Sequence, residues 1–387
     1  MKNILSTGSA LLLTTTIASA GGLDRGGNAY SVLFEDGNYA QLSFSLANPS
    51  VSGDYAAGLG GGSTGNMAES FNTFGFGLKY DINDDVSVAF FLNQPFGANA
   101  DYGSGVYTGL GADWESSQIA IVGKYQVNPN ISVYAGARSI ETKASIAIPD
   151  SLIRGGLAAA AAAGDATAAA LAGGAPAGTL AYSAETGSDR QTSYIAGAAY
   201  EIPEIALRVA LTYESGYTHS LDTTEAIAAV PAISGDSVTD IEMPQSVTLD
   251  FQTGVAEDTL VFGTVRWSEW SVWEVRPAGY EALTGDAVTG LDNDVMTYRI
   301  GVGRRINEDL SVFGRITYEK ANGGVASRLA PTDGTTSIGL GGSYNYDGVE
   351  FTGGIEYSML GDAEDGSATD FSGNSALGVG LSVGFSF

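Results

Sequence analysis

The sequence predicts an all-β fold, a closed 14-stranded antiparallel transmembrane β-barrel with a short N-terminal periplasmic or lumenal segment, and three observations predict it. Apolar residues recur at every second position along most of the chain, as at Leu377, Val379, Leu381, Val383, Phe385 and Phe387, with small or polar residues between them. Short connections alternate with long ones, which is the pattern of a barrel with tight turns on one rim and loops on the other. Beyond the first twenty residues the longest uninterrupted apolar run is Leu157 to Ala163, far short of the ~20 residues that a spanning helix requires. A chain of this kind crosses a membrane with strands, because closing a barrel satisfies every backbone N–H and C=O in hydrocarbon.

Composition agrees. Of 387 residues 16% are charged and 44% hydrophobic, with 54 Gly, 10 Pro and no Cys. Without cysteine there is no disulfide framework, thiolate metal site or thiol nucleophile, and a net charge of -27 argues against a nucleic-acid partner. No cofactor is expected, and no metal. Lys2, the apolar stretch from Ile4 to Ile17 and the Ala18-Ser19-Ala20 end read as a signal peptide over 1–20, cleaved before Gly21. Residues 21–38 then form a short plug-like segment, and 39–387 the barrel, placing the protein in the outer membrane of a Gram-negative cell.

The alternation places strands near 39–48, 70–82, 85–95, 114–127, 131–148, 188–201, 205–220, 241–255, 258–275, 294–306, 309–321, 335–347, 348–361 and 375–387. Turns fall at Asn83-Asp84, Asn128-Pro129-Asn130, Ile202-Pro203-Glu204, Ala256-Glu257, Asn307-Glu308 and Asp347-Gly348. Long outer loops fall near 49–69, 96–113, 149–187, 221–240, 276–293, 322–334 and 362–374. The Ala-rich stretch Leu157 to Gly173 favours a helix in the longest of these. The loops also hold many acidic residues, among them Asp222, Glu225, Asp236, Asp362 and Glu364. Solvation is the simple account of them; cation bridging to lipopolysaccharide is the sharper one, although they show no ligand spacing. Chain termination on Phe387, with Phe385 two positions earlier, resembles the signal read by the outer-membrane assembly machinery.

Nothing suggests an enzyme. The single histidine, His219, lies beside Ser220 with no positioned triad around it. The inward line is more informative, since Lys79, Lys124, Arg138, Arg208, Arg266, Arg299, Arg315, Glu350 and Glu356 all fall opposite an apolar face. They form either a salt-bridged lumen that stiffens the barrel, or a site where Lys79, Lys124, Arg138, Arg266, Arg299 or Arg315 binds a substrate carboxylate in an apolar pocket. Trp267, Trp270 and Trp273 read as an interfacial girdle or as substrate contacts. Pro95, Phe96 and Gly97 could break the ladder and open the wall, or merely end a strand.

Several segments resemble a family. Met243-Pro244-Gln245-Ser246-Val247, followed across a turn by Arg266-Trp267-Ser268-Glu269-Trp270-Ser271, looks like the Pro-opened strand and W-x-x-W-S segment of the FadL-type (OMPP1/FadL/TodX) long-chain fatty-acid and hydrophobic-compound transporters. Asn93-Gln94-Pro95-Phe96-Gly97, with Tyr102 after it, is similar to that family's P-F-G stretch, and Arg328-Leu329-Ala330-Pro331-Thr332-Asp333-Gly334 to its segment before the twelfth strand. The resemblance spans about residues 70 to 387. It implies passive transport of hydrophobic molecules, long-chain fatty acids first, by loop capture, an apolar lumenal pocket and sideways exit at a kinked third strand. It also implies lipopolysaccharide and phospholipid as neighbours. The N-terminal segment is much shorter than the family's usual plug and lacks its N-P-A signature. A general diffusion pore for small hydrophilic solutes and a surface structural or adhesion barrel are the alternatives.

Overall fold

The computed structural model describes residues 22–25 and 30–387, so the expected signal peptide lies outside the described residues. Alternation becomes a barrel of fourteen antiparallel strands. They are β1 (Tyr39–Ser50), β2 (Phe71–Asp81), β3 (Val86–Asn93, resuming as Gly97–Asp101), β4 (Gly111–Asn128) and β5 (Ile131–Ile148). β6 is Tyr182–Thr186 with Asp189–Ile202, β7 Leu207–Glu214 with Tyr217–Ile227, and β8 Gly235–Met243 with Ser246–Ala256. The rest are β9 (Thr259–Ser268), β10 (Val295–Arg305), β11 (Leu310–Glu319), β12 (Thr335–Tyr346), β13 (Val349–Leu360) and β14 (Ser375–Ser386). β1 pairs β14 from Tyr39↔Ser386 to Ser50↔Ser375, which closes the ring.

The period of two sorts side chains by solvent. Ile121, Ile300, Leu340, Ile355 and Leu381 stand outward and exposed, as a lipid-facing surface requires, while Ser132, Arg138, Thr212, Arg315 and Glu356 between them are buried inside. Phe385 and Phe387 end the outward face. Inside, the rings of Phe262 and Phe313 lie across Gly301 and Gly341 of the neighbouring strands, where a Cβ would collide with them. The turns form where expected. Asn83, Asn128 and Asn307 each accept two backbone N–H bonds with their side-chain oxygen, and Asp347 and Gly348 both take positive φ, 50° and 80°, as a two-residue hairpin turn needs.

Several boundaries differ from the sequence reading: the expected loop 96–113 holds strand at Gly97–Asp101 and from Gly111, and the expected loop 149–187 holds strand at Tyr182–Thr186. The expected loop 221–240 is mostly strand: β7 and β8 run on together from Tyr217↔Met243 to Glu225↔Gly235 above the apolar band. There the outward residues Thr218, Ser220, Asp222 and Thr224 face water, so the alternation loses its apolar half. The ninth strand stops at Ser268, short of the expected 275, and the chain turns inward at Trp270.

The longest loop holds α1 (Asp150–Ala162) and α2 (Ala166–Gly174), which contain the expected helix. Gly164, at φ 108°, makes the corner, and Asp165 caps α2 by accepting from the Thr167 and Ala168 N–H groups. Arg154 clamps the pair, bonding Asp150 at 2.9 Å and the Ala172 carbonyl at 2.6 Å. α3 (Ala278–Thr284) is anchored by buried Glu225, which accepts from Tyr182 Oη at 3.0 Å and from Ser237 Oγ and the Gly279 and Tyr280 N–H groups at 2.9 Å.

Candidate functional site

The short segment before β1 enters the barrel. Residues Tyr30–Phe34 form a 3-10 turn whose Val32 and Leu33 are fully buried against inward Ala89, Phe91, Ala120, Val122 and Tyr134. Tyr30 meets the Phe91 ring edge-on at 5.6 Å, and Phe34 meets Tyr134 at 5.9 Å.

The lumenal cations predicted from sequence all point inward, and each meets a partner from the wall or from this segment. Lys79 Nζ lies 2.7 Å from Asp81 and donates to the Glu35 and Gly37 carbonyls. Lys124 lies over the Phe34 ring at 5.0 Å, with Arg208 over the same ring at 4.8 Å. Arg138 binds Glu214 at 2.9 Å and Ser193 at 3.0 Å, and Tyr30 Oη donates to the same Glu214 oxygen. Arg266 pairs with Asp24 at 3.2 Å, Arg299 donates to Thr317, and Arg315 grips Glu356 at 2.7 and 2.8 Å. These groups are spread around the wall rather than gathered at one pocket.

The apolar chemistry lies higher, in a core under the loops built on Tyr102, Tyr107, Trp114, Leu221, Trp270, Trp273 and Phe371. Three adjacent cavities lie in and beside it. The outermost is a groove of about 870 Å³ between α1, α2, α3 and the loop after β11, lined by Leu152, Leu157, Leu171 and Leu283, with Arg328 on its rim. An inner cavity of about 160 Å³, lined by Leu23, Val51, Trp114, Ile146, Trp273 and Leu329, shares Thr289 and Leu329 with the groove. At that junction the Thr289 and Ser327 hydroxyls are 2.7 Å apart. The third, about 380 Å³, opens in the wall around Thr73, Gln94 and Ser117, and shares Arg25, Phe71 and Asn99 with the inner cavity.

The wall opening follows from β3. Its register against β4 passes from Asn93↔Gln118 to Gly97↔Glu115, so Gln94, Pro95 and Phe96 face only Ser116 and Ser117. Pro95 has no N–H to give a ladder, and β2 has β3 as a partner only from Phe76 downward. The upper part of β2 therefore has an open edge beside the break. The level is marked by the outward face of β4, which changes from Ile119 through Ser117 to Glu115, ion-paired with Lys143 at 2.9 Å. From inside, the N-terminal segment crosses the break: Arg25 N donates to the Pro95 carbonyl and Gly97 N to the Leu23 carbonyl, both at 2.9 Å. The Arg25 guanidinium stacks 4.1 Å over Phe71 and bonds Asn99. Burial pushes Arg25 down to about 10, with Asp113 and Glu115 acting in the opposite sense.

Sequence reasoning placed Pro95, Phe96 and Gly97 at this break, but the tryptophans need correction. Trp270 is fully buried, with its ring edge-on to Phe96 and Nε1 donating to Asp24, and Trp273 is 6% exposed against Trp114. Neither can join a lipid-interface girdle. Trp267 does stand on the outward face, bonding Asp294. Arg25, Trp114 and the Thr289–Ser327 junction carry no sequence signal, and Arg328 shows only as part of a family-like segment, because each acts through residues distant in sequence. On the outer side Asp365 ties the loops together by accepting from Tyr107, Arg328 and the Ser367 and Thr369 N–H groups. Burial opposes the Arg328 charge, yet Tyr107 and Asp365 outweigh it and hold its pKa above the ordinary value.

A closed barrel of fourteen strands, carrying an inserted N-terminal segment, a kinked third strand and an apolar core under its loops, defines an outer-membrane transport barrel. Residues 36–359 match the family of outer membrane protein transport proteins (OMPP1/FadL/TodX), and the chain belongs to it. Its members are outer-membrane transporters of hydrophobic compounds in Gram-negative bacteria and not enzymes. The fold resembles that of a Pseudomonas aeruginosa FadL homologue, at 12% identity and TM-score 0.73, over 95% of this chain and 96% of that one. It also resembles the Pseudomonas putida toluene transporter TodX, at 14% and 0.68, over 96% and 97%. The Ralstonia pickettii toluene transporter TbuX follows at 14% and 0.61, over 96% and 97%. No curated protein sequence matches the chain.

Proposed function

We propose that this protein carries hydrophobic compounds passively from the cell surface to the outer-membrane lipid, leaving sideways through the break in β3. The observation that supports this most is adjacency, since the inner cavity shares Leu329 with the outer groove and Arg25 with the wall opening, so that these side chains stand between successive cavities. The groove has about 870 Å³ of space and leucine side chains in its wall, so long-chain fatty acids are the first substrate to test, threading the smaller inner cavity in extended form. Residues 30–34 act as a plug for the lower lumen, which favours sideways release over a path to the periplasm. In this reading the paired lumenal cations brace the barrel and do not hold substrate. Lipopolysaccharide and phospholipid contact the outward face, and Phe385 and Phe387 are what the assembly machinery reads.

The test is uptake of labelled oleate by cells lacking their own fatty-acid transporter, with and without this protein, beside uptake of a small sugar. Saturable oleate entry without sugar entry is expected. Sugar entry without oleate entry would mean an open pore and would end the proposal.

A further inference from the structure

A fourth cavity, of about 330 Å³, lies at the opposite end of the barrel, on the periplasmic rim that carries the tight turns. It exists because neighbouring strands end at different heights. β7 pairs with β8 only as far as Arg208↔Gln252, whereas β8 runs on to Ala256, and its register against β9 slips between Gly254 and Ala256. Pro203–Ile205 form a 3-10 turn and Ala206 takes a φ of 51°, so the chain entering β7 does not extend the ladder along the end of β8. The cavity is the space left between that turn and the ends of β8, β9 and β10.

Two side chains in its wall carry charge that nothing nearby answers. Arg304 follows Tyr298, Ile300 and Val302 on the lipid-facing side of β10, and beyond it come only Ile306 and the acidic turn Asn307-Glu308-Asp309. It therefore sits where hydrocarbon gives way to head groups. Its guanidinium donates to the Thr259 hydroxyl at 3.0 Å and has no carboxylate partner among the described residues. In a chain with 44 acidic residues and 17 basic ones such a partner is easily supplied, as Asp258 supplies it to Arg305 at 2.8 Å. The other cations of this end, Lys79, Lys124 and Arg208, are engaged inside the lumen, with Asp81 or the Phe34 ring. Glu204, exposed on the turn, has no cation beside it among the described residues. Ile205 and Val255, 50% and 57% exposed, also line the cavity and give it an apolar lip.

We propose that this cavity holds the head group of a phospholipid from the periplasmic leaflet, one that carries both a phosphate and a primary ammonium. The phosphate accepts from Arg304, whose planar fork suits two of its oxygens. The ammonium donates to the Glu204 carboxylate, and the acyl chains pass over Ile205 and Val255 into the bilayer. An anionic head group brings no cation to Glu204 and is repelled by it, and a trimethylammonium head group has no N–H to donate. The site lies at the other rim from the solute route and does not depend on it.

The purified full-length barrel is equilibrated with equal amounts of phosphatidylethanolamine, phosphatidylglycerol and phosphatidylcholine of the same acyl chains, and native mass spectrometry reads the lipid that stays bound. Phosphatidylethanolamine is expected to be retained about threefold over each of the others. Arg304→Gln is expected to lower its retention about tenfold, the worth of a hydrogen bond to a charged group. Glu204→Gln is expected to bring its preference over phosphatidylglycerol below about twofold, and Arg190→Gln, at the outer rim, to change neither. Soluble phosphoethanolamine at the same concentration is expected to leave the lipid in place, because it has no chains to rest on the lip; displacement by it would overturn a lipid as the occupant. Equal retention of the three lipids by the native protein, a reading that needs no variant to fold, or phosphatidylethanolamine binding that survives Arg304→Gln, would overturn the site.

Discussion

The lumen at membrane level and the core beneath the outer loops are built on the same strands, yet they are filled with different side chains. In the lumen Arg138 and Glu214, and Arg315 and Glu356, pair across an intervening strand, and Lys79 pairs with Asp81 on its own strand. In the outer core the rings of Trp114, Trp273, His219 and Tyr217 meet edge-on beside a cavity. Charge at membrane level is paired across the lumen, whereas the outer core packs aromatic rings around its cavities.

The sharpest way to break that comparison is to unpair the lumen. Arg315→Met leaves Glu356 charged and buried, and is expected to lower the unfolding free energy by about 3–5 kcal/mol in urea titrations, with most of it restored by adding Glu356→Leu. If the single change is harmless to stability but halts uptake, Arg315 belongs to transport and not to bracing. Next in size is Glu225→Gln, which puts an amide in place of a carboxylate that accepts four hydrogen bonds. A loss of about 2 kcal/mol is expected, confined to α3 and seen as faster hydrogen exchange over 278–284, with weaker capture at the groove α3 lines. Smallest is Arg190→Ala, which breaks an exposed ion pair with Glu141 and should cost less than about 1 kcal/mol by the same titration.

The same contrast explains what the sequence could tell. Where the wall touches lipid, outward residues such as Ile119, Ile121 and Tyr125 must be apolar, and the period of two shows every strand and turn. Where β7 and β8 rise into water, Asp222 and Thr224 remove that constraint and strand reads as loop. Lumenal cations were legible as inward-facing, because facing depends only on parity. Their partners were not, since Glu214 lies 76 residues from Arg138 and Asp24 reaches Arg266 only through the fold. Pro95 and Gly97 announced a break by their own chemistry. The inner cavity announced nothing, as Trp114, Trp273 and Leu329 come from three separate parts of the chain.

The central claim is that hydrophobic solutes leave through the break in β3, and a plug placed there tests it most directly. The chain has no cysteine, so Thr73→Cys gives a single thiol in the wall opening that a bulky maleimide can fill. Labelled protein should lose oleate uptake while unlabelled Thr73→Cys retains it and both remain folded barrels. Uptake that continues undiminished after labelling would contradict the account.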